Sequence, residues 1–318
     1  MLASILRLIR WQNLLFTAFV VWLMEKMVAT SLLDRALFGE QLPAYIFYLL
    51  MLSIVFIAAG GYAINDYFDV KIDSINRPDK LIVTRTLTKQ DSMLTHQVMT
   101  AIGVILGIII AIILHSWTLA IIYVFVPGIL WFYSASYKRQ FLVGNILIAL
   151  SVAIVPLMVA IANVAYLNKT YTQEVMNYSP LSNELYTWIG GFSLFAFLLT
   201  LAREITKDLQ DQSGDRELEC HSLPIVIGDV WTKVIVTLID LLAIGCAAYF
   251  VFYALPFKHT WSSMCVRYFS FGLVVPMICE LYLLWSARVP SDYRFAQQML
   301  KFIMLVGVLF SIIIRINL

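Results

Sequence analysis

Nine apolar stretches, at residues 12–31, 44–64, 93–114, 117–133, 142–166, 186–203, 232–255, 267–286 and 297–314, set the terms on which this chain can fold. Each comes close to the roughly 20 residues that a helix needs to cross a hydrocarbon core about 30 Å thick. In that medium no water reaches the backbone, so a spanning segment must satisfy its own amides and carbonyls, and it does so as a helix. With 61% hydrophobic and only 13% charged residues, too little polar surface remains to clothe a water-soluble body. The expectation is an all-α polytopic membrane protein of about nine transmembrane helices, with residues 1–318 forming one integral membrane domain. The first stretch follows Arg7 and Arg10 as a signal peptide would, but it runs past Met24 with no small-residue cleavage site and reads as the first span. Cys220, Cys246, Cys265 and Cys279 show no C-x-x-C spacing and read as small hydrophobes.

The sparse charges are unevenly placed. With the N-terminus in the cytoplasm, sixteen of the 22 lysines and arginines fall on the inner side: Arg7, Arg10, Lys71, Arg77, Lys80, Arg85, Lys89, Lys138, Arg139, Arg203, Lys207, Arg216, Lys233, Arg288, Arg294 and Lys301. The outer side keeps Lys26, Arg35, Lys169, Lys258, Arg267 and Arg315. This is a positive-inside bias, which favours N-terminus in and C-terminus out, in the cytoplasmic membrane of a prokaryote. The net charge of +2 gives no reason to expect nucleic acid as a partner, and nothing in the sequence implies a protein partner. Two connections on the inner side, 65–91 and 203–231, are longer and more polar than a turn requires. They occupy equivalent places if the chain is two four-helix repeats plus a ninth helix.

The first of these segments begins N-D-Y-F-D-V-K-I-D-S-I-N-R-P-D-K and the second R-E-I-T-K-D-L-Q-D-Q-S-G-D. Asp66, Asp69 and Asp73 stand at i, i+3, i+7, and so do Asp208, Asp211 and Asp215. At 3.6 residues per turn each triplet falls within an arc of roughly 60° on one helix face. Like charges so close destabilise a helix unless something positive joins them. Read plainly, each triplet is a solvated helix end; two at matching places, in a chain with only 20 acidic residues, favour a site. Hard oxygen ligands suit Mg²⁺, which keeps several waters and binds through one or two carboxylates together with substrate phosphates. That chemistry points to a diphosphate, with Asn65, Arg77, Lys80, Lys138, Arg139, Arg203 and Lys207 as further groups to hold it. Each of these cations is otherwise an ordinary positive-inside anchor. Two alternatives stay open: an ion-coupled secondary transporter, for which Glu25 and Glu280 lie inside or near apolar stretches, and a catalytically silent scaffold, which gives no reason for the matched spacing.

These residues resemble the UbiA superfamily of intramembrane prenyltransferases. Asn65, Asp66, Asp69 and Asp73 match the motif N-D-x-x-D-x-x-x-D, Asn76 to Pro78 follow as N-R-P, and Asp211 and Asp215 match D-x-x-x-D. Y-S-x-x-Y-K-R at 133–139 is similar too, as is R-W-Q-N at 10–13, where tryptophan replaces proline. The resemblance implies nine helices around a central cavity, with the six aspartates as catalytic metal ligands holding Mg²⁺ against an isoprenyl diphosphate. The allylic C–O bond would ionise, and a membrane-soluble acceptor would attack in a site that excludes water. Tyr62, Tyr67, Tyr133 and Tyr137 would offer their ring faces to the cation. The run R-E-I-x-K-D-x-x-D-x-x-G-D most resembles the branch that acts on geranylgeranylglyceryl phosphate to make an ether lipid, and quinone-precursor and chlorin acceptors stay open.

Overall fold

The computed structural model describes residues 2–76, 78, 81–171, 176, 179–254 and 263–317. Among these, no β-strand forms, and nine helices are long and apolar enough to cross a membrane, one for each expected stretch. After a short α1 (Leu2–Leu8) they are α2 (Trp11–Arg35), α3 (Ala44–Asn76), α4 (Lys89–Ile113), α5 (Trp117–Ala135), α6 (Val143–Thr170) and α7 (Leu181–Glu217). A short α8 (Leu223–Ile227) precedes α9 (Asp229–Phe252), α10 (Met264–Ser286) and α11 (Tyr293–Asn317). Large apolar side chains stand exposed along these helices, among them Ile112, Phe125, Leu238 and Phe271. Such a surface belongs against acyl chains and not against water, and the protein is an integral membrane protein.

The polar segments begin as helix, as the aspartate spacing implied: α3 continues three turns past its apolar stretch to Asn76, and α7 continues to Glu217. No helix breaker intervenes in α3 before Pro78, which disfavours helical geometry in the residue before it. At the end of α7, Glu219 adopts φ 54°; the Cys220 amide donates to the Asp215 carbonyl at 2.8 Å and the Glu219 amide to Arg216 at 3.3 Å. This pair of bonds satisfies the last carbonyls and stops the helix.

The chain divides into two compact units, Met1–Tyr137 with Ile154–Gly190, and Lys138–Ala153 with Gly191–Leu318. In the first, α3 packs along α4 for most of its length, and small residues allow the close approach, as is common between membrane helices. A methyl group on Gly103 would come within 2.9 Å of both the Ile57 amide nitrogen and the Ser53 carbonyl oxygen on α3. On Gly107, one turn later, it would come within 2.3 Å of the Tyr123 ring on α5. Tyr123 is buried and its hydroxyl lies 2.8 Å from that of Ser53, so α3, α4 and α5 meet around one polar pair. Nearer the aspartates, Ser92 Oγ donates to the Ala63 carbonyl at 2.8 Å, and Leu8, Ala63, Val83 and Leu87 form a buried apolar cluster. The cluster ties α1 and the segment leading into α4 to the lower part of α3. Thr88 caps α4 by accepting from the Asp91 amide while Asp91 accepts in return.

In the second unit α10 and α11 are neighbours joined by a short connection, and α9 packs on α10. Lys233, buried on α9, donates from Nζ to the Ala287 carbonyl just beyond α10 at 3.0 Å, and Trp285 Nε1 donates to Thr237 Oγ1 at 3.0 Å. Gly191 and Gly307 leave room for the rings of Phe250 and Phe195. The four cysteines are free thiols, as their spacing implied.

Gly103→Ala is expected to push α3 from α4 and to cost about 1–3 kcal/mol, the usual penalty of overpacking. Thermal unfolding in detergent would show it as a lowered midpoint. Gly128→Ala is the control, since nothing lies within 4 Å of that position, and it should leave the midpoint in place.

Candidate active site

The last three turns of α3 carry Asp66, Asp69 and Asp73 at the expected spacing. A carboxylate there needs a donor, and the sequence supplies two kinds. Asn65 Nδ2 donates to Asp69 Oδ2 at 2.6 Å, one turn apart on the same helix. An amide orients a carboxylate without neutralising it, so the negative charge is kept for something else. Asp66 instead meets a cation: Arg10 Nη2 lies 2.8 Å from its Oδ1. Arg10 reaches it because its own backbone, at φ 51°, turns α1 into α2. Its guanidinium also covers the Tyr62 ring at 5.0 Å, and Asp69 acts on its charge as well. Lys89 Nζ sits 5.8 Å from the Tyr67 ring. Two of the rings offered by the sequence to a substrate cation thus already face cations of the protein. Of the others, Tyr133 is buried and Tyr137 lies against Phe132.

In the second unit the polar end of α7 brings Asp208, Asp211 and Asp215 together with several of the expected cations. Lys138 and Lys207 are both close enough to act on the charge of Asp215, as is Asp211. Lys138 belongs to the Tyr137–Arg139 turn, and the Arg139 carbonyl accepts from the His221 amide at 2.9 Å, which fastens the turn to the segment after α7. Asn145, near the start of α6, donates to Asp208 Oδ2 at 2.8 Å. Each triplet therefore has one carboxylate held by an asparagine amide.

Arg203 and Lys207, expected as diphosphate-binding cations, both have an acid beside them. Arg203 Nη2 pairs with Glu204 Oε1, and Lys207 Nζ lies 3.7 Å from Glu204 Oε2. Arg77 and Lys80 lie outside the described residues. Sequence reasoning missed Arg10 as a site residue, and also Asn145 and Glu204. Asn145 left a trace, a lone amide one turn into an apolar stretch; the αL turn that delivers Arg10 left none. Glu25, which had kept transport open, is buried in α2 and accepts from Asn163 Nδ2 at 2.7 Å.

The donor chemistry fits Mg²⁺, being all hard oxygen. Within neither unit, among the described residues, do three or more His, Cys, Asp or Glu side chains come together as a ready-made metal cage. Asp66, Asp69, Asp73, Asp208, Asp211 and Asp215 are the residues that would hold Mg²⁺.

The fold and these motifs define a class, and comparison with known proteins agrees. The chain belongs to the UbiA prenyltransferase family, whose profile matches residues 27–306. It is similar to a digeranylgeranylglyceryl phosphate synthase of Methanobrevibacter smithii, 29% identical over 63% of this chain and 64% of that one. The match thus spans a little under two thirds of that relative's length. Among solved structures, one of digeranylgeranylglyceryl phosphate synthase superposes with a TM-score of 0.64 at 23% identity, covering 100% of this chain and 99% of the other. A UbiA homologue from Archaeoglobus fulgidus bound to DMAPP and Mg²⁺ superposes with a TM-score of 0.55 at 14% identity, covering 99% and 100%. At these identities the likeness is one of fold.

Asn145→Leu should leave Asp208 without its amide donor and cost about 1.5–3 kcal/mol, the worth of a hydrogen bond to a charged group, read as a lower unfolding midpoint in detergent. Asn145→Asp, which sets a second carboxylate against Asp208, should lower the midpoint too and regain it on addition of a divalent cation.

Proposed function

We propose that this chain, as a single prenyltransferase domain, transfers an isoprenyl group from a prenyl diphosphate to a lipophilic acceptor within the membrane. We further assign it Mg²⁺ dependence and an acceptor of the geranylgeranylglyceryl phosphate type. The observation that carries the reading is the pair of matched aspartate motifs, each at the polar end of a long helix and each with one carboxylate oriented by a neutral amide. The sequence R-E-I-x-K-D-x-x-D-x-x-G-D and the name of the Methanobrevibacter relative support the ether-lipid acceptor. The DMAPP and Mg²⁺ held by the Archaeoglobus homologue support the donor and the metal.

In the reaction the C–O bond of the prenyl diphosphate breaks and its electron pair leaves with the diphosphate. An acceptor hydroxyl forms the new C–O bond and gives up its proton. Mg²⁺, when bound, supplies positive charge against the diphosphate. Asp66, Asp69 and Asp73 offer oxygens to that charge in one unit and Asp208, Asp211 and Asp215 in the other, and Asn65 and Asn145 keep Asp69 and Asp208 aimed. Lys138 and Arg139 bind diphosphate oxygens. Arg10 holds Asp66 in position through a geometry in which lysine would lose the fork of the guanidinium. The apolar faces of the spans keep water from the allylic cation. The excess of lysine and arginine on one side in the sequence supports a cytoplasmic face for the aspartate ends of α3 and α7.

Purified protein given Mg²⁺, geranylgeranyl diphosphate and geranylgeranylglyceryl phosphate should release pyrophosphate and form the ether. Asp66→Ala and Asp211→Ala should each abolish turnover while leaving the unfolding midpoint near that of the parent, and chelation should do the same reversibly. Full activity in both variants would reject the metal assignment. Pyrophosphate release with a quinone precursor but not with the glyceryl phosphate would keep the chemistry and reject the acceptor.

A further inference from the structure

At the middle of α9, far from either end, stands Asp240, and opposite it on α10 stands Glu280. Both are fully buried at 0% exposure. Their carboxyls lie within hydrogen-bonding reach of one another, yet none of the four oxygens has a donor among the described residues. Four other acids each have one: Asn163 for Glu25, Asn65 for Asp69, Asn145 for Asp208, Arg10 for Asp66. Among the described residues, no buried cation balances the pair. Lys233, two turns away on the same face of α9, is given to the Ala287 carbonyl and lies 5.2 Å from the Tyr293 ring of α11. Tyr268 of α10 donates its hydroxyl to the Val306 carbonyl of α11 at 2.6 Å.

Two carboxylates in contact inside a low-dielectric interior repel strongly, and each alone is costly to bury. Two acceptors also cannot bond to each other. A single proton removes both difficulties: one acid becomes a donor, the other its acceptor, and the net charge falls from two to one. A second proton makes the pair neutral. A metal ion bound through two carboxylates would have to complete its shell with water or phosphate, and both residues are buried at 0% exposure within the spans.

We propose that Asp240 and Glu280 form a proton-binding site that ties α9 to α10 within the membrane, separate from the aspartate motifs. The site takes up a proton as the unit folds and releases it if the two helices part. A proton bound by the folded protein and given up on unfolding makes stability fall as pH rises. The tie is therefore strongest in acid and weakens in alkali, opposite in sense to an ion pair formed by a carboxylate.

The test uses the full chain in detergent or lipid nanodiscs. Infrared spectra of wild type near neutral pH should contain a protonated-carboxyl C=O band that shifts when Glu and Asp are carbon-13 labelled and loses intensity in Asp240→Asn/Glu280→Gln. From about pH 6 to about pH 9 the unfolding midpoint of wild type should fall more steeply than that of the double variant. Glu280→Gln alone, whose amide can donate to Asp240, should fold and show the shallower slope. Absence of the band in wild type, or equal slopes in all three proteins, overturns the proposal. So does a midpoint that rises with sodium or magnesium at fixed pH in wild type but not in the double variant, since the occupant would then be a metal cation. Should the double variant not fold, the slope of Glu280→Gln alone against that of wild type decides the question.

Discussion

Everything in this protein follows from the need of a backbone in hydrocarbon to satisfy its own hydrogen bonds. That requirement makes each apolar stretch a helix, and it also decides where charge can go. A carboxylate in mid-span must find a donor or a proton, whereas one beyond the apolar stretch can keep its charge. The helices α3 and α7 use the second option. Both run on past their apolar stretches, so the aspartates inherit the rigidity of a membrane helix beyond its apolar run. A loop could have carried the same six residues, but it would not have held them at fixed spacing.

Those two extensions also show what sequence can and cannot disclose. The i, i+3, i+7 spacing of Asp66, Asp69 and Asp73 and of Asp208, Asp211 and Asp215 is a helical statement, so the shared faces were readable before any coordinates. Where the helices stop was not, because the stop at α7 rests on Glu219 in a left-handed conformation that glutamate gives no reason to expect. Hydropathy found all nine spans because twenty apolar residues in a row admit few other fates. It could not find the partners. Arg10 reaches Asp66 across fifty-six positions of sequence, Asn145 reaches Asp208 across sixty-three, and Glu204 takes up the two cations beside it. Tertiary pairing of this kind depends on which helix lies beside which, and periodicity is silent on that.

The acidic residues inside the spans sort themselves by partner. Glu25 has a buried asparagine amide, a neutral donor that orients the carboxyl and brings no opposing charge. Among the described residues, Asp240 and Glu280 have only each other. The sequence made Glu280 look like a transporter's ion ligand because it stands alone in its stretch; its counterpart sits forty positions earlier, in a stretch whose apolar bulk hides it. A lone acid in a hydropathy plot is thus half of a pair until the neighbouring helix is known.

The glycine at position 103 reaches further than local packing. Because α4 touches the main chain of α3 there, the two helices cannot slide past one another without collision, and the contact works like a detent on a shaft. The aspartates of α3 lie a few turns along the same rigid rod. Their height in the membrane is consequently indexed to a place that no substrate touches, so a methyl group deep in the bilayer could detune a reaction at its surface.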